Sequence, residues 1–250
     1  MLLNIMLFLI GTSLGSYISL CGYRISKGES IILPNSYCDN CNYPLSFIQK
    51  LPIISQYKLF NKCSKCKFKN PIKYALIEIF FGCSLLLFFH KCSNIFNINC
   101  NLDFIINILF ISSLLLLSII DINTYKIPSK FLYLLILSGL IINSFKYNYI
   151  DINIMFQKLL ISLIAFLTLE LFSKSYQLIR HKIPFGTGDS KVISLLIIWI
   201  GLKGAIFSLF ISLYLALIFI ILYFLIKKDI KERIPFIPFL SCGAYLYILF

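Results

Sequence analysis

Charge is what this chain of 250 residues has least of: 13% of its side chains are Asp, Glu, Lys or Arg, against 59% hydrophobic. A soluble domain carries about 25% charged residues, so an ordinary soluble fold is excluded and the composition is that of an integral membrane protein. Residues 1–23 contain no Asp, Glu, Lys, Arg or His and exceed the roughly 20 residues that cross a bilayer. A cleaved signal peptide opens on basic residues and ends at a small-residue cleavage site. No charge precedes this segment, and Arg24 and Lys27 follow it. It reads as a retained first helix with its N-terminus outside.

Residues 24–73 form the one substantial polar segment. Beyond it, apolar runs recur at about 72–89, 102–120, 131–145, 154–172, 191–202, 204–226 and 236–250, each near the length of one span. Gly201-Leu202-Lys203-Gly204 between two of them suits a tight outer turn. The fold class is an all-α polytopic membrane protein with about eight transmembrane helices, seven or nine following if an edge is drawn differently. A small cytoplasmic four-cysteine loop resembling a zinc ribbon sits between the first two helices. The domains are the first helix (1–23), the Cys-rich loop (24–73) and a multi-helix membrane domain (74–250).

Lys and Arg test this topology. The inner segments 24–73, 121–130, 173–191 and 227–235 hold nine, two, four and four of them, and the outer segments only Lys91, Lys146, Lys158 and Lys203. That is the positive-inside bias of cytoplasmic loops. The net charge of +13 is therefore a topology signal, and with no aromatic-basic module beside it nucleic acid is not an expected partner.

Four of the nine cysteines fall in two pairs, Cys38-Asp39-Asn40-Cys41 and Cys63-Ser64-Lys65-Cys66, separated by 21 residues. Two such knuckles supply four thiolates in tetrahedral geometry, as structural zinc sites do. Four reduced thiols are the plainer alternative, and a disulfide is disfavoured in a reducing cytoplasm. No histidine joins the set, so the implied metal is structural. Cys92 and Cys100 share the first outer loop, a pair open to a disulfide if that side is oxidising. Cys21, Cys83 and Cys242 lie in apolar runs, where cysteine acts as a small hydrophobe.

Two acids stand at run edges. Asp189 closes Gly186-Thr187-Gly188-Asp189 ahead of the apolar stretch 192–204, where an aspartate caps a helix and meets the positive end of its dipole. Asp121 ends the run 102–120, facing a negative helix end at the edge of the hydrocarbon, where ionisable groups are costly and usually functional. The alternative is that Asp121 marks the water interface. Both fall on the cytoplasmic side of the charge-derived topology. Two carboxylates sharing a site cannot both ionise easily, so one acts as base on a water while its protonated partner polarises a peptide carbonyl. The helix ends favour an ionised Asp189 and a protonated Asp121. Glu78 and Glu170, in the cytoplasmic halves of their runs, either receive a cationic substrate segment or pair with lysines such as Lys73 and Lys174. A cation or proton transporter and a non-catalytic scaffold are the rival classes; the weak internal symmetry of many transporters is not seen.

The order of these motifs resembles the type IV prepilin peptidases, membrane aspartyl peptidases of the GxGD type. The likeness runs nearly end to end. It takes in Gly11, Gly15, Ser16 and Tyr17 with Arg24, then the Cys pairs with Leu51-Pro52-Ile53 between them, and Tyr74 with Glu78. It continues through Asp121 with Ile127-Pro128, then Gly186-Thr187-Gly188-Asp189-Ser190-Lys191, and ends on Ile234-Pro235-Phe236-Ile237-Pro238-Phe239. The resemblance implies that Asp121 and Asp189 are the catalytic aspartates, with Gly186, Gly188 and Lys191 in the active-site loop. It implies a hydrolase of the cytoplasmic (inner) membrane that removes the basic leader from prepilin-like precursors of pili, secretion or competence systems. Many relatives also methylate the new N-terminus with S-adenosylmethionine. Ser19, Ser26 and Ser129 depart from residues usual in the family; none touches the aspartate pair, and the first two bear on methylation.

Overall fold

The computed structural model describes residues 2–33, 35–38, 40–53, 62–69, 71–93, 100–146, 152–180, 186–228 and 233–250. The described chain is helical, with only two isolated β-bridges, Tyr37 to Pro44 and Lys62 to Lys69. Its helices are α1 (Leu2–Lys27), α2 (Phe47–Lys50), α3 (Ile72–Ser93), α4 (Cys100–Thr124), α5 (Ser129–Lys146), α6 (Ile152–Arg180), α7 (Thr187–Lys227) and α8 (Ile237–Leu249). Five of them are long and apolar enough to cross a membrane, and the segments Ser129–Ile142 and Ile237–Leu249 are shorter apolar helices.

Two expected runs are joined in α7. Its 41 residues would make a rod of about 60 Å, twice the roughly 30 Å hydrocarbon core. Gly201 divides it: φ 76°, ψ 173° is not helical, and it lies in the positive-φ region that glycine enters at little cost. The outer turn expected at this glycine is a one-residue break inside a long apolar helix.

The chain forms two compact units, residues 1–100 and 101–250. In the first, α1 packs along α3 through small residues. A Cβ placed on Gly11 would stand 2.8 Å from the Gly82 Cα, so the backbones touch, which small residues permit between membrane helices. Arg24 is buried at the end of α1. Its Nη1 donates to the carbonyls of Ser30 (3.3 Å) and Ile31 (3.1 Å), and its guanidinium lies 5.6 Å from the centre of the Tyr37 ring. The positive charge thus fastens the polar segment to the helix it leaves.

In the second unit one apolar cluster is built from Leu114 and Leu117 of α4, Leu132 and Leu135 of α5, Val192 to Ile197 of α7, and Leu240 and Ala244 of α8. Trp199 stacks on Phe110 at 4.8 Å and its Nε1 donates to the Leu135 carbonyl at 3.0 Å, so its polar edge is satisfied in an apolar setting. Helix α8 meets α7 backbone to backbone. A Cβ on Gly243 would fall 2.5 Å from the Ser208 carbonyl oxygen and 2.8 Å from its Cα. These atoms cannot swing aside, so Gly243→Ala destabilises the protein by about 1–3 kcal/mol, read as a lower midpoint in thermal denaturation in detergent.

Candidate active site

Four separate stretches of the second unit converge. Helix α4 ends at Thr124, whose Oγ1 accepts from the Lys126 N–H at 3.2 Å. Tyr125 at φ 53° returns its N–H to the Asp121 carbonyl at 2.9 Å. Asp121 therefore lies in the last turn of α4, and it is 6% exposed. The chain then runs through Ile127-Pro128 into α5. Across from this connection stands the start of α7, where Gly188 would bring a Cβ within 3.1 Å of Ile127 Cδ1. The Lys191 Nζ donates to Ser129 Oγ at 3.1 Å. The Ile-Pro motif and the glycine motif are thus neighbours, as the pairing of the two aspartates demands.

Asp189 is close enough to Asp121 for the charge of one to act on the other. Its capping role is realised at a different position from the one expected. Gly186 is the N-cap, and Asp189, three residues on, accepts the Gly186 N–H at 3.3 Å while its own N–H returns to the Gly186 carbonyl at 3.0 Å. Asp121 in turn accepts the N–H of Ile237, the first residue of α8, at 3.2 Å. Each carboxylate therefore holds one backbone donor, so hydrogen bonding alone does not separate base from acid. The sequence marked Ile237 as part of a motif without a role; a backbone donor leaves no side-chain signature to find.

Glu170 on α6 belongs to the same unit and buries Oε1 without a hydrogen-bond partner among the described residues. Glu78 belongs to the first unit, is 3% exposed and accepts the Ile53 N–H at 2.7 Å. That bond ties the Leu51-Pro52-Ile53 motif to α3.

The cysteine pairs also lie in the first unit and are two copies of one turn. Cys38 N–H donates to the Tyr43 carbonyl and Asn42 N–H returns to the Cys38 carbonyl, both at 2.9 Å. Cys63 N–H donates to the Phe68 carbonyl at 2.9 Å and Lys67 N–H returns to the Cys63 carbonyl at 3.0 Å. Asn42 and Lys67, each just past its second cysteine, both take positive φ. The four sulfurs lie within 4.8 Å of one another, with Cys38 to Cys66 at 3.6 Å and Cys41 to Cys63 at 3.7 Å. The backbone N–H of Phe68 and the sulfurs of Cys41 and Cys38 hold the Cys66 thiol down to about 6, and the Cys66 N–H lowers that of Cys63. Against the pull of the Tyr43 backbone, burial and the sulfurs of Cys66, Cys63 and Cys38 push the Cys41 thiol the other way, up to about 11, so it is the closeness of the four sulfurs that suits the set to a metal ion. The Cys100 side chain, and with it the Cys92–Cys100 pairing, lies outside the described residues.

Between α1, α3 and this loop is a cavity of about 150 Å³ lined by Tyr23, Arg24, Tyr37, Tyr74 and Glu78 among others. Its two buried ionisable side chains, Arg24 and Glu78, are bonded to the loop backbone as described above.

Comparison with known proteins matches residues 9–92 to the bacterial peptidase A24 N-terminal domain and residues 108–221, which include both aspartates, to the type IV leader peptidase family. The chain belongs to that peptidase family. Its similarity to curated proteins runs nearly end to end. It is 27% identical over 247 residues to a prepilin leader peptidase/N-methyltransferase of Bacillus subtilis, covering 96% of this chain and 93% of that protein. It is 25% identical to one of Pseudomonas putida, covering 91% and 77%, and 29% identical to one of Neisseria gonorrhoeae, covering 77% and 64%. No solved structure matches.

Proposed function

We propose that this protein is a multi-pass aspartyl endopeptidase of the cytoplasmic membrane in which Asp121 and Asp189 cut the basic leader from prepilin-like precursors. The observation that carries the reading is the meeting of the motifs that bear these two acids: Gly188 against Ile127, Lys191 on Ser129, and the Ile237 N–H on Asp121. The pair shares one proton. The ionised carboxylate takes a proton from water as that water attacks the scissile carbonyl carbon, and the protonated one donates to the carbonyl oxygen. Collapse of the tetrahedral intermediate breaks the C–N bond, and the leaving amine receives a proton from the acid that gained one. Gly186 and Gly188 keep the α7 entrance narrow, and Lys191 holds it against α5 through Ser129.

The bias of Lys and Arg supports a cytoplasmic position for this junction, with the N-terminus outside. A substrate whose apolar helix enters the bilayer would then leave its leader at that face. Glu170, with its unpartnered oxygen, is the acid of this unit suited to a cationic leader; Glu78 serves the same role in the first unit only if it exchanges the Ile53 N–H for substrate. The four cysteines hold zinc: tetrahedral Zn–S bonds of 2.3 Å place sulfurs about 3.8 Å apart, close to the separations found. The relatives' names add an N-methyltransferase, which uses S-adenosylmethionine as methyl source, with the new N-terminus as acceptor.

The direct test is incubation of the purified protein in lipid with peptides made of a basic leader joined to an apolar helix. Mass spectrometry is expected to show a single cut at that junction, and a methyl group on the new N-terminus if the second activity is present. Failure to cut any of several such peptides by folded protein would falsify the peptidase reading.

A further inference from the structure

We infer that the backbone amide of Ile237 is a positioning group for the reaction: it holds the carboxylate of Asp121 in the orientation that cleavage requires. This rests on Asp121 being catalytic. Asp121 sits in the last turn of α4, where the unsatisfied backbone groups are carbonyls. Its own helix end offers no donor, yet a buried carboxylate needs one. The donor comes from 116 residues further along the chain.

The start of α8 is built to supply it. Pro238 has no N–H, and the N–H groups of Phe239 and Leu240 turn back to the Phe236 carbonyl at 3.1 and 3.2 Å. The Ile237 N–H is left to reach Asp121. Ile237 is held through its carbonyl too: Ser118, one turn before Asp121 on α4, bonds Ser241 at 2.7 Å, and the Ser241 hydroxyl donates to the Ile237 carbonyl at 2.8 Å. Two hydrogen-bonded links, Ser118 to Ser241 and Asp121 to Ile237, thus join α4 to the first turn of α8. The Ile237 side chain is fully buried, and Gly243 sets α8 on the α7 backbone. With Oδ2 held by this amide, Oδ1 is the oxygen left for the proton shared with Asp189.

A proline at 237 removes the N–H and fits the first helical position, though it also loses the buried side chain and obliges Phe236 to leave its αR conformation. Ile237→Ala is its control: it loses the same buried bulk and keeps the donor. Ile237→Pro is expected to lower kcat about 10–100-fold below Ile237→Ala with KM unchanged, and to move the acid-side limb of the pH–rate profile to higher pH, since a donor to the ionised carboxylate has gone. Ile237→Ala keeps the wild-type profile. Equal kcat and superimposable profiles for the two variants overturn the inference. If Ile237→Pro does not fold, a backbone ester decides: isoleucine's α-hydroxy analogue at position 237 keeps the side chain and removes only the N–H, so reduced kcat with a displaced profile is expected, whereas a wild-type profile overturns the inference. Asp121→Asn in the same assay separates the two levels. If it cleaves at the wild-type rate, the catalytic reading falls and this inference with it; if it is inactive while proline and alanine behave alike, only the inference falls.

Discussion

Asp121→Asn and Asp189→Asn each reduce kcat/KM for leader cleavage by about 10²–10⁴-fold, the range in which positioned acids and bases contribute, while the proteins stay folded. Asparagine matches aspartate in volume and keeps a carbonyl oxygen. It can still accept the Ile237 N–H at position 121 or the Gly186 N–H at position 189. What it cannot do is take or give the proton. Loss of activity with an unchanged thermal midpoint therefore reports chemistry, not collapse of the α4–α8 junction. Because the two acids act as one unit, the double variant is expected to be little worse than either single one, the non-additivity that residues sharing a step display. Mass spectrometry of the cleaved peptide over a time course gives the rates. Two independent losses that multiply in the double variant would assign the aspartates to separate steps, and a near-normal rate for either single variant removes that residue from catalysis.

The aspartates were legible in the sequence because their cost was legible. An acid at the negative end of an apolar helix, as Asp121 is, has no local reason to be there, and the glycines before Asp189 mark a turn. The expected orientation in the membrane rests equally directly on where Lys and Arg fall. What the sequence could not show is how the ends of α4, α7 and α8 are joined. The Ile237 donor is a backbone group, identical in every residue but proline, so no pattern of side chains announces it. Gly201 illustrates the opposite limit. The run through residues 191–226 is apolar almost without interruption, and periodicity has no means of distinguishing two helices from one broken at a single residue; the conformation of that glycine does. For Glu78 a carboxylate in a membrane helix was legible, and the fold adds that the loop between the cysteine pairs returns an N–H to it.

Removing the metal from the four-cysteine site is expected to unfold the loop of the first unit. The loop has little else to hold it: its described part contains one four-residue helix and two isolated bridges. Structural zinc contributes roughly 10–16 kcal/mol to folding in small isolated domains, far more than so small an apolar core supplies. Cys63→Ser and Cys66→Ser, or a strong chelator on the wild type, should therefore abolish bound zinc and make residues 24–73 susceptible to limited proteolysis. The matched turns at Asn42 and Lys67 mean that each knuckle presents its two sulfurs with the same backbone geometry, so loss of one ligand from either side is expected to be equally damaging. The pH dependence has a definite sign. Metal binding requires thiolates, and protons compete for them. The site therefore holds its metal less firmly as the solution is acidified, since every proton added to a thiolate removes a ligand. Zinc content measured across a pH series, beside the proteolysis pattern, checks both statements. A loop that resists protease equally with and without metal would show that Arg24 and Glu78, through their bonds to Ser30, Ile31 and Ile53, hold it on their own.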